Sequence, residues 1–341
     1  MAKAAHDYLR QTEQIVFPRN MDEDVAVDVA KSMSFFKKVF GDYPVKRFYA
    51  TEIPYVHGQA FPGLIHLSWM TFLNKSKDGT NQIFRAHEVA HQWWGIGVDF
   101  KTYHDLWMSE GFSHFSGLWY MQNRLEDQKR YYQILEDWGK EIRDNRKYLF
   151  TSGQEAGPIW LGKRTFSSST KGDYDLIIYK KSAWVLHMLR TMLMDLETRS
   201  DSSFVAMMRE FYQSYLYKSA STEDFRKMVE KYLDQDMQWF FDQWIYNVDI
   251  PTYKFSYRID EASGGRYSLK LRVRQEDVSE DFQMPILLKI EFGKDKERFE
   301  RLLVTGKQSD FEFLDLDKKP KDIEFNALES VLCKVDKEGW K

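Results

Sequence analysis

Cysteine is almost missing: Cys333 is the single one in 341 residues. A lone thiol excludes an internal disulfide framework and any cysteine-based metal site, so a metal here needs histidine and carboxylate. No apolar run is long enough to span a membrane, and the first residues lack the order of a signal peptide. Neither sign of charge dominates. A formal net charge of −3 gives no case for a nucleic-acid partner or an anionic membrane surface. Internal repeats and low-complexity segments are absent too. What is plentiful is aromatic: 11 Trp, 19 Tyr and 25 Phe make up 16% of the chain. That implies an aromatic-rich core or an aromatic-lined cleft, without separating the two. The length suits two or three domains of an ordinary soluble globular protein.

Residues 1–19 carry little regular pattern. From Asp22 the spacing of Val25, Val29, Met33, Phe36 and Phe40 predicts a helix, stopped by Gly41 and Pro44. Strands are expected over Val45–Ile53 and Gly63–Leu67, on either side of a turn-like His57–Pro62. Helices follow over Asn81–Trp94, over Asp105–Arg124 and on to about Arg146. Residues 151–173 read as a long loop, and Tyr174–Leu196 as helix again. More helices fill 203–246, one begun by the N-cap run Ser221-Thr222-Glu223-Asp224. At Pro251 the period changes. Leu269, Leu271 and Val273 alternate with Lys270, Arg272 and Arg274, and similar short runs recur to Asn326. The expectation is an α+β chain, mainly helical over 1–250, with an antiparallel β-sandwich over 251–341 that packs Cys333 in a strand-like run.

Chemistry concentrates between His87 and Glu110. In His87-Glu88-Val89-Ala90-His91 the two histidines are four apart, so one helix face presents both imidazoles to a single metal ion. Catalytic zinc takes three protein ligands and a water, and Glu110, in Trp107-Met108-Ser109-Glu110-Gly111-Phe112, is placed to fold back as the third. Glu88 faces the open side as the general base for a water activated by one Zn2+ ion. The chemistry implied is hydrolysis of an amide bond, with a peptide as substrate. The plainer alternative is a polar helix surface with incidental histidines.

These runs, from Ala86 to Gly95 and from Asp105 to Phe112, resemble the gluzincin zinc metallopeptidases of the membrane alanyl aminopeptidase family, peptidase family M-one, which includes leukotriene hydrolase. The resemblance continues at Tyr179-Lys180-Lys181-Ser182-Ala183, similar to the family's Tyr-x-Lys-Gly-Ala, and at Phe240-Phe241-Asp242-Gln243-Trp244 and Ile250-Pro251. It implies a thermolysin-like catalytic domain ahead of the β-sandwich. It also implies that Tyr179 is the donor that stabilises the oxyanion.

Two departures stand out. The family's aminopeptidases carry Gly-x-Met-Glu-Asn before the zinc helix, and its glutamate holds the substrate's α-amine. Aligned on Pro62-Gly63-Leu64-Ile65, this chain has Ala60 at that place, and neither Gln59 nor Glu52 is indicated by spacing. The family's large N-terminal β-domain is absent ahead of the motif. Either the chain is a fragment of a longer protein, which we favour, or it is a minimal form with a more open site. An aminopeptidase-like zinc hydrolase is therefore the leading expectation. A weakly active or inactive zinc-containing scaffold and a hydrolase of non-peptide substrates stand as alternatives. Of the remaining candidates, His104 and His114 read as outer or surface histidines and His187 as packing. Trp93 and Trp94 read as core, Arg164 as solvated, and Asp105 as a possible partner of a zinc-bound imidazole.

Overall fold

The computed structural model describes residues 21–43, 45–73, 78–125, 128–144, 156–168, 170, 172–293 and 296–340. The expected lead-in at 1–19, the stop at Pro44, the helix end near Arg146 and the loop residues 151–155 lie outside these. Helix α1 (Met21–Phe40) forms as its spacing requires, burying Val25, Val29, Phe36 and Phe40. It ends at Gly41, whose φ of 115° suits a residue without a side chain. A small sheet follows, made of β1 (Tyr49–Ile53), β2 (Gln59–Phe61) and β3 (Leu64–Ser68) in the order β1-β3-β2. Here the structure corrects two expectations. Val45–Phe48 is not strand, and the centre of the turn-like run is strand β2. The turn is tighter than the composition suggests: Gly63, at φ 75°, reverses the chain so that Phe61 pairs with Leu64 and Ala60 with Ile65.

Helix α2 (Thr80–Ala90) is shorter than the expected Asn81–Trp94. Beyond it the backbone unwinds through Ile96 N–H to His91 O at 3.2 Å and Gly97 N–H to Gln92 O at 3.1 Å, with Gly95 at φ 103°. A buried ion pair clamps α2 to α1: Arg85 meets Asp28 at 2.7 Å and donates to Thr71 Oγ1 at 2.9 Å. Next come β4 (Val98–Phe100), α3 (Trp107–Leu125) and α4 (Gln128–Asp144). Within the expected loop, 3-10 turns run over Ile159–Thr165. The predicted helix from Tyr174 divides into a π-helical turn, Asp175–Lys181, and α5 (Ser182–Leu193). Then follow α6 (Ser202–Tyr215), β5 (Lys218–Ala220, paired with β4), α7 (Thr222–Leu233) and α8 (Gln238–Trp244). The capping box expected at Ser221 is present, its hydroxyl accepting from Asp224 N–H.

Helices α2 and α3 cross closely because α3 carries a glycine at the crossing. A β-carbon at Gly117 would sit 2.5 Å from Ile83 O and 3.2 Å from His87 N. Backbone on both sides leaves nothing flexible to move. Gly117→Ala is therefore expected to cost about 1–3 kcal/mol by forcing the helices apart. A urea melt checks it, and an unchanged midpoint would show the crossing to be slack.

After Pro251 the chain is β. Strands β6 (Thr252–Glu261), β7 (Tyr267–Glu276), β8 (Gln283–Gly293), β9 (Lys296–Thr305), β10 (Gln308–Leu316), β11 (Asp322–Phe325) and β12 (Lys334–Lys337) make two sheets. Their orders are β10-β7-β6-β12 and β11-β8-β9. The alternation at 269–274 has the meaning expected of it: Leu269, Leu271 and Val273 are buried and pack inward. Phe255 of β6 stacks on Phe325 of β11 across the two sheets, ring centres 4.8 Å apart. The sandwich is antiparallel except for β12, which runs parallel to β6. Cys333 is buried just before β12. Its carbonyl accepts from Arg143 of α4 at 2.7 Å, joining the helical and β regions.

Candidate active site

Helix α2 supplies His87 and His91 one turn apart, and the first turn of α3 brings Glu110 against both. The two imidazole Nε2 atoms are 3.1 Å apart. Glu110 Oε2 lies 3.5 Å from His87 Nε2 and 3.3 Å from His91 Nε2. Zinc bonds of about 2.0–2.1 Å in a tetrahedron set ligand atoms roughly 3.3 Å apart, so these three atoms have the spacing of a zinc site. Among the described residues this is the one group of three or more His, Cys, Asp or Glu whose ligand atoms converge in this way. The donor set also fits: two neutral imidazoles and one carboxylate suit a borderline metal.

Electrostatics point the same way. Burial disfavours charge on His91, but the Glu110 carboxylate outweighs it and pushes the imidazole up to about 9. Burial also opposes charge on Glu110, and the two histidines overcome it and hold the carboxyl well below its ordinary range. A strong buried positive partner is what this carboxylate is built to meet.

His91 is oriented from behind by Trp94 O, 3.0 Å from Nδ1, and by Ser113 Oγ at 3.1 Å. Asp105 does not do this. Its carboxylate accepts from Thr222 N–H at 2.7 Å and Thr222 Oγ1 at 2.8 Å, and its other oxygen closes a cap with Thr102 at 2.8 Å. Asp105 thus fastens the start of α3 to α7. Ser113 was missed by sequence reasoning, although its place three residues past Glu110 put it on the ligand face of α3.

Glu88 is buried, and its Oε2 has no hydrogen-bond partner among the described residues. Burial raises its pKa, against the pull of His87 and His91. The β2 approach brings backbone directly onto this carboxylate: a β-carbon at Gly58 would collide with it. Nothing in the sequence spacing marked Gly58. Ala60 lies on β2 and packs against the core. Exposed Gln59 shares that strand.

Tyr179 sits in the π-helical turn, which presses on α3 where Gly111 follows Glu110. A side chain at Gly111 would strike Ser182. A π-turn widens the helix by one residue and re-aims the side chains on it. The Tyr179 ring stacks on His87, centres 5.5 Å apart at 26°. Burial, then the charge of Glu110, pushes its hydroxyl far above the ordinary phenol range, so it stays a proton donor.

A cleft of about 670 Å³ joins Gly58, His87, Glu88, His114, Trp138 and Tyr179. A larger cavity of about 800 Å³, lined by Trp119, Tyr132, Arg190 and Arg209, contains none of the ligands. His104 lies elsewhere, stacked on Trp160 with ring centres 3.6 Å apart. His187 is buried packing, bonded to Tyr131 at 2.9 Å. Trp93 and Trp94 are core, and Arg164 is exposed. His114, read as an outer histidine, stands on the cleft wall.

Residues 26–244 match the Peptidase family M1 domain. The chain belongs to peptidase family M1. The M1 relatives include mitochondrial aminopeptidase 2 of Saccharomyces cerevisiae, 23% identical over 67% of this chain and 24% of that protein. Glutamyl aminopeptidase of Rattus norvegicus is 25% identical over 49% of this chain and 16% of its own length. The chain therefore spans about a quarter or less of these curated M1 relatives. Its fold resembles the crystal structure of Legionella pneumophila aminopeptidase A in complex with aspartic acid. That match has a TM-score of 0.67 and 16% identity, over 92% of this chain and 35% of that one. No helix among the described residues is long and apolar enough to cross a membrane.

Proposed function

We propose that this M1 chain is the zinc-dependent hydrolytic unit of a metallopeptidase, aminopeptidase-like but without the usual carboxylate for the substrate's α-amine. One observation carries this reading. The His87 side of a three-ligand cluster, a buried carboxylate with an unpartnered oxygen and a phenol held as a donor line one cleft. His87, His91 and Glu110 would hold the ion. When bound, zinc supplies Lewis acidity, polarising a carbonyl and making a nucleophile of water near neutral pH. Glu88 takes a proton from the attacking water and returns it to the leaving amine; its raised pKa suits both transfers. The Tyr179 hydroxyl donates to the oxygen that gains negative charge. On this reading 1–250 is the catalytic domain and 251–341 a β-sandwich domain.

Ala60 favours a second reading, a zinc-bearing scaffold of the same fold with weak or no activity. Metal analysis paired with matched free and N-blocked peptides separates the two. We expect one zinc per chain and cleavage of peptides. Cleavage of free peptides alone marks an aminopeptidase despite Ala60, and cleavage of blocked ones an endopeptidase. Zinc with silence on both sets supports the scaffold.

A further inference from the structure

The larger cavity, of about 800 Å³, is bordered by α1, α3, α5 and α6 and has no part in the proposed chemistry. Its volume falls within the roughly 300–1,000 Å³ of small-molecule sites. Trp119, Tyr132 and Val205 give it an apolar wall. Its charge is one-sided, because Lys38, Arg190, Arg199 and Arg209 line it with a single carboxylate, Asp201. Two of these cations are already neutralised. Arg190 meets Asp201 at 2.7 Å and lies over Trp119, 4.9 Å from the ring centre, and Arg199 meets Glu297 at 2.8 Å. Arg209 and Lys38 differ. Arg209 donates from Nη2 to the Lys38 carbonyl, and its Nε is buried with no acceptor. Among the described residues neither Arg209 nor Lys38 pairs with a carboxylate. A half-buried guanidinium without a counter-charge costs stability that an anion in the cavity would recover.

We propose that this cavity is a second ligand site and takes a small organic acid, with an apolar body against Trp119 and Tyr132 and one carboxylate met by Arg209 and Lys38. The bond from Arg209 to the Lys38 carbonyl joins α6 to α1, so the two uncompensated charges enter the cavity from adjoining backbone. A guanidinium's planar fork meets a carboxylate through parallel charge-assisted hydrogen bonds. Asp201 on the wall penalises a second negative charge, which favours a carboxylate over a phosphate dianion. The apolar wall favours a hydrocarbon body over a bare ion. None of these residues lines the catalytic cleft, so the site stands whether or not the chain cleaves peptides.

The test is calorimetric titration of the zinc-loaded protein with 4-phenylbutyrate, beside its neutral counterpart 4-phenylbutanol and phenyl phosphate. The butyrate should bind about tenfold or more tightly than either. Arg209→Gln should weaken it about ten- to a hundred-fold, the worth of a hydrogen bond to a charged group. Val205→Trp, which fills the cavity from α6, should abolish binding. Melting temperature and zinc content show that each variant is folded. Equal affinity for the butanol, or tighter binding of the phosphate, overturns the carboxylate site. Butyrate binding unchanged in both Arg209→Gln and Val205→Trp puts the acid elsewhere, on the metal for instance, and overturns the proposal. Absence of binding to the wild type does the same. If Arg209→Gln fails to fold, Lys38→Gln carries the charge test, since Lys38 is exposed and its carbonyl stays in place.

Discussion

Glu88→Gln is expected to bind zinc normally and to lose about 10²–10⁴-fold in kcat, the range a positioned general base contributes. Glutamine has nearly the shape of glutamate, so the close fit against Gly58 is preserved. His87, His91 and Glu110 keep their mutual distances because Glu88 is not among the converging ligands. What goes is the ability to take a proton. In the wild type that carboxylate is buried, and its Oε2 has no hydrogen-bond partner among the described residues. The checks are zinc stoichiometry beside kcat on one peptide. Retained turnover with full zinc would remove Glu88 from the reaction and leave the metal site standing. Loss of zinc would instead mean that Glu88 supports the ligands.

Stripping the metal with a chelator should abolish turnover and lower the melting temperature, and added zinc should restore both. A ligand that binds only the folded state stabilises it by about 2.7 kcal/mol at a hundredfold excess over Kd. Protons compete for the same place. In the metal-free protein, burial lowers the pKa of His91 but the Glu110 charge raises it further, to about 9. Below that pH the imidazolium–carboxylate pair stabilises the metal-free fold, and this contribution is lost as pH rises through 9. Zinc must displace that proton, so its affinity should fall progressively as pH drops below about 9. Metal titrations at several pH values check this. An affinity flat from pH 9 to 6 would show that His91 does not carry the proton or is not a ligand.

The residues proposed to do the chemistry were legible because they lie close in the chain and a helix converts spacing into direction. His91 comes four positions after His87, and one turn of α2 makes them neighbours. The β-sandwich was legible for a similar reason, since period two along β7 leaves one face to bury. Tyr179 was different. Nothing in its own surroundings separated it from the other tyrosines, and only the resemblance picked it out. The π-turn that carries it lies against Gly111, near Ile178 O, and leaves no periodic trace. Asp105 shows the opposite error: beside the motif in sequence, it is spent on Thr222, more than a hundred residues away.

The sequence by itself thus determined the converging triad, the residue proposed as base and the change from helix to sheet, all properties of local period and side-chain chemistry. Only the tertiary structure decided who stands behind and beside them. Ser113 and the Trp94 carbonyl orient His91, Gly58 closes on Glu88, and His114 enters the cleft beside Tyr179. These are contacts between elements far apart in the chain, set by close packing and helix crossings rather than by any spacing along one segment.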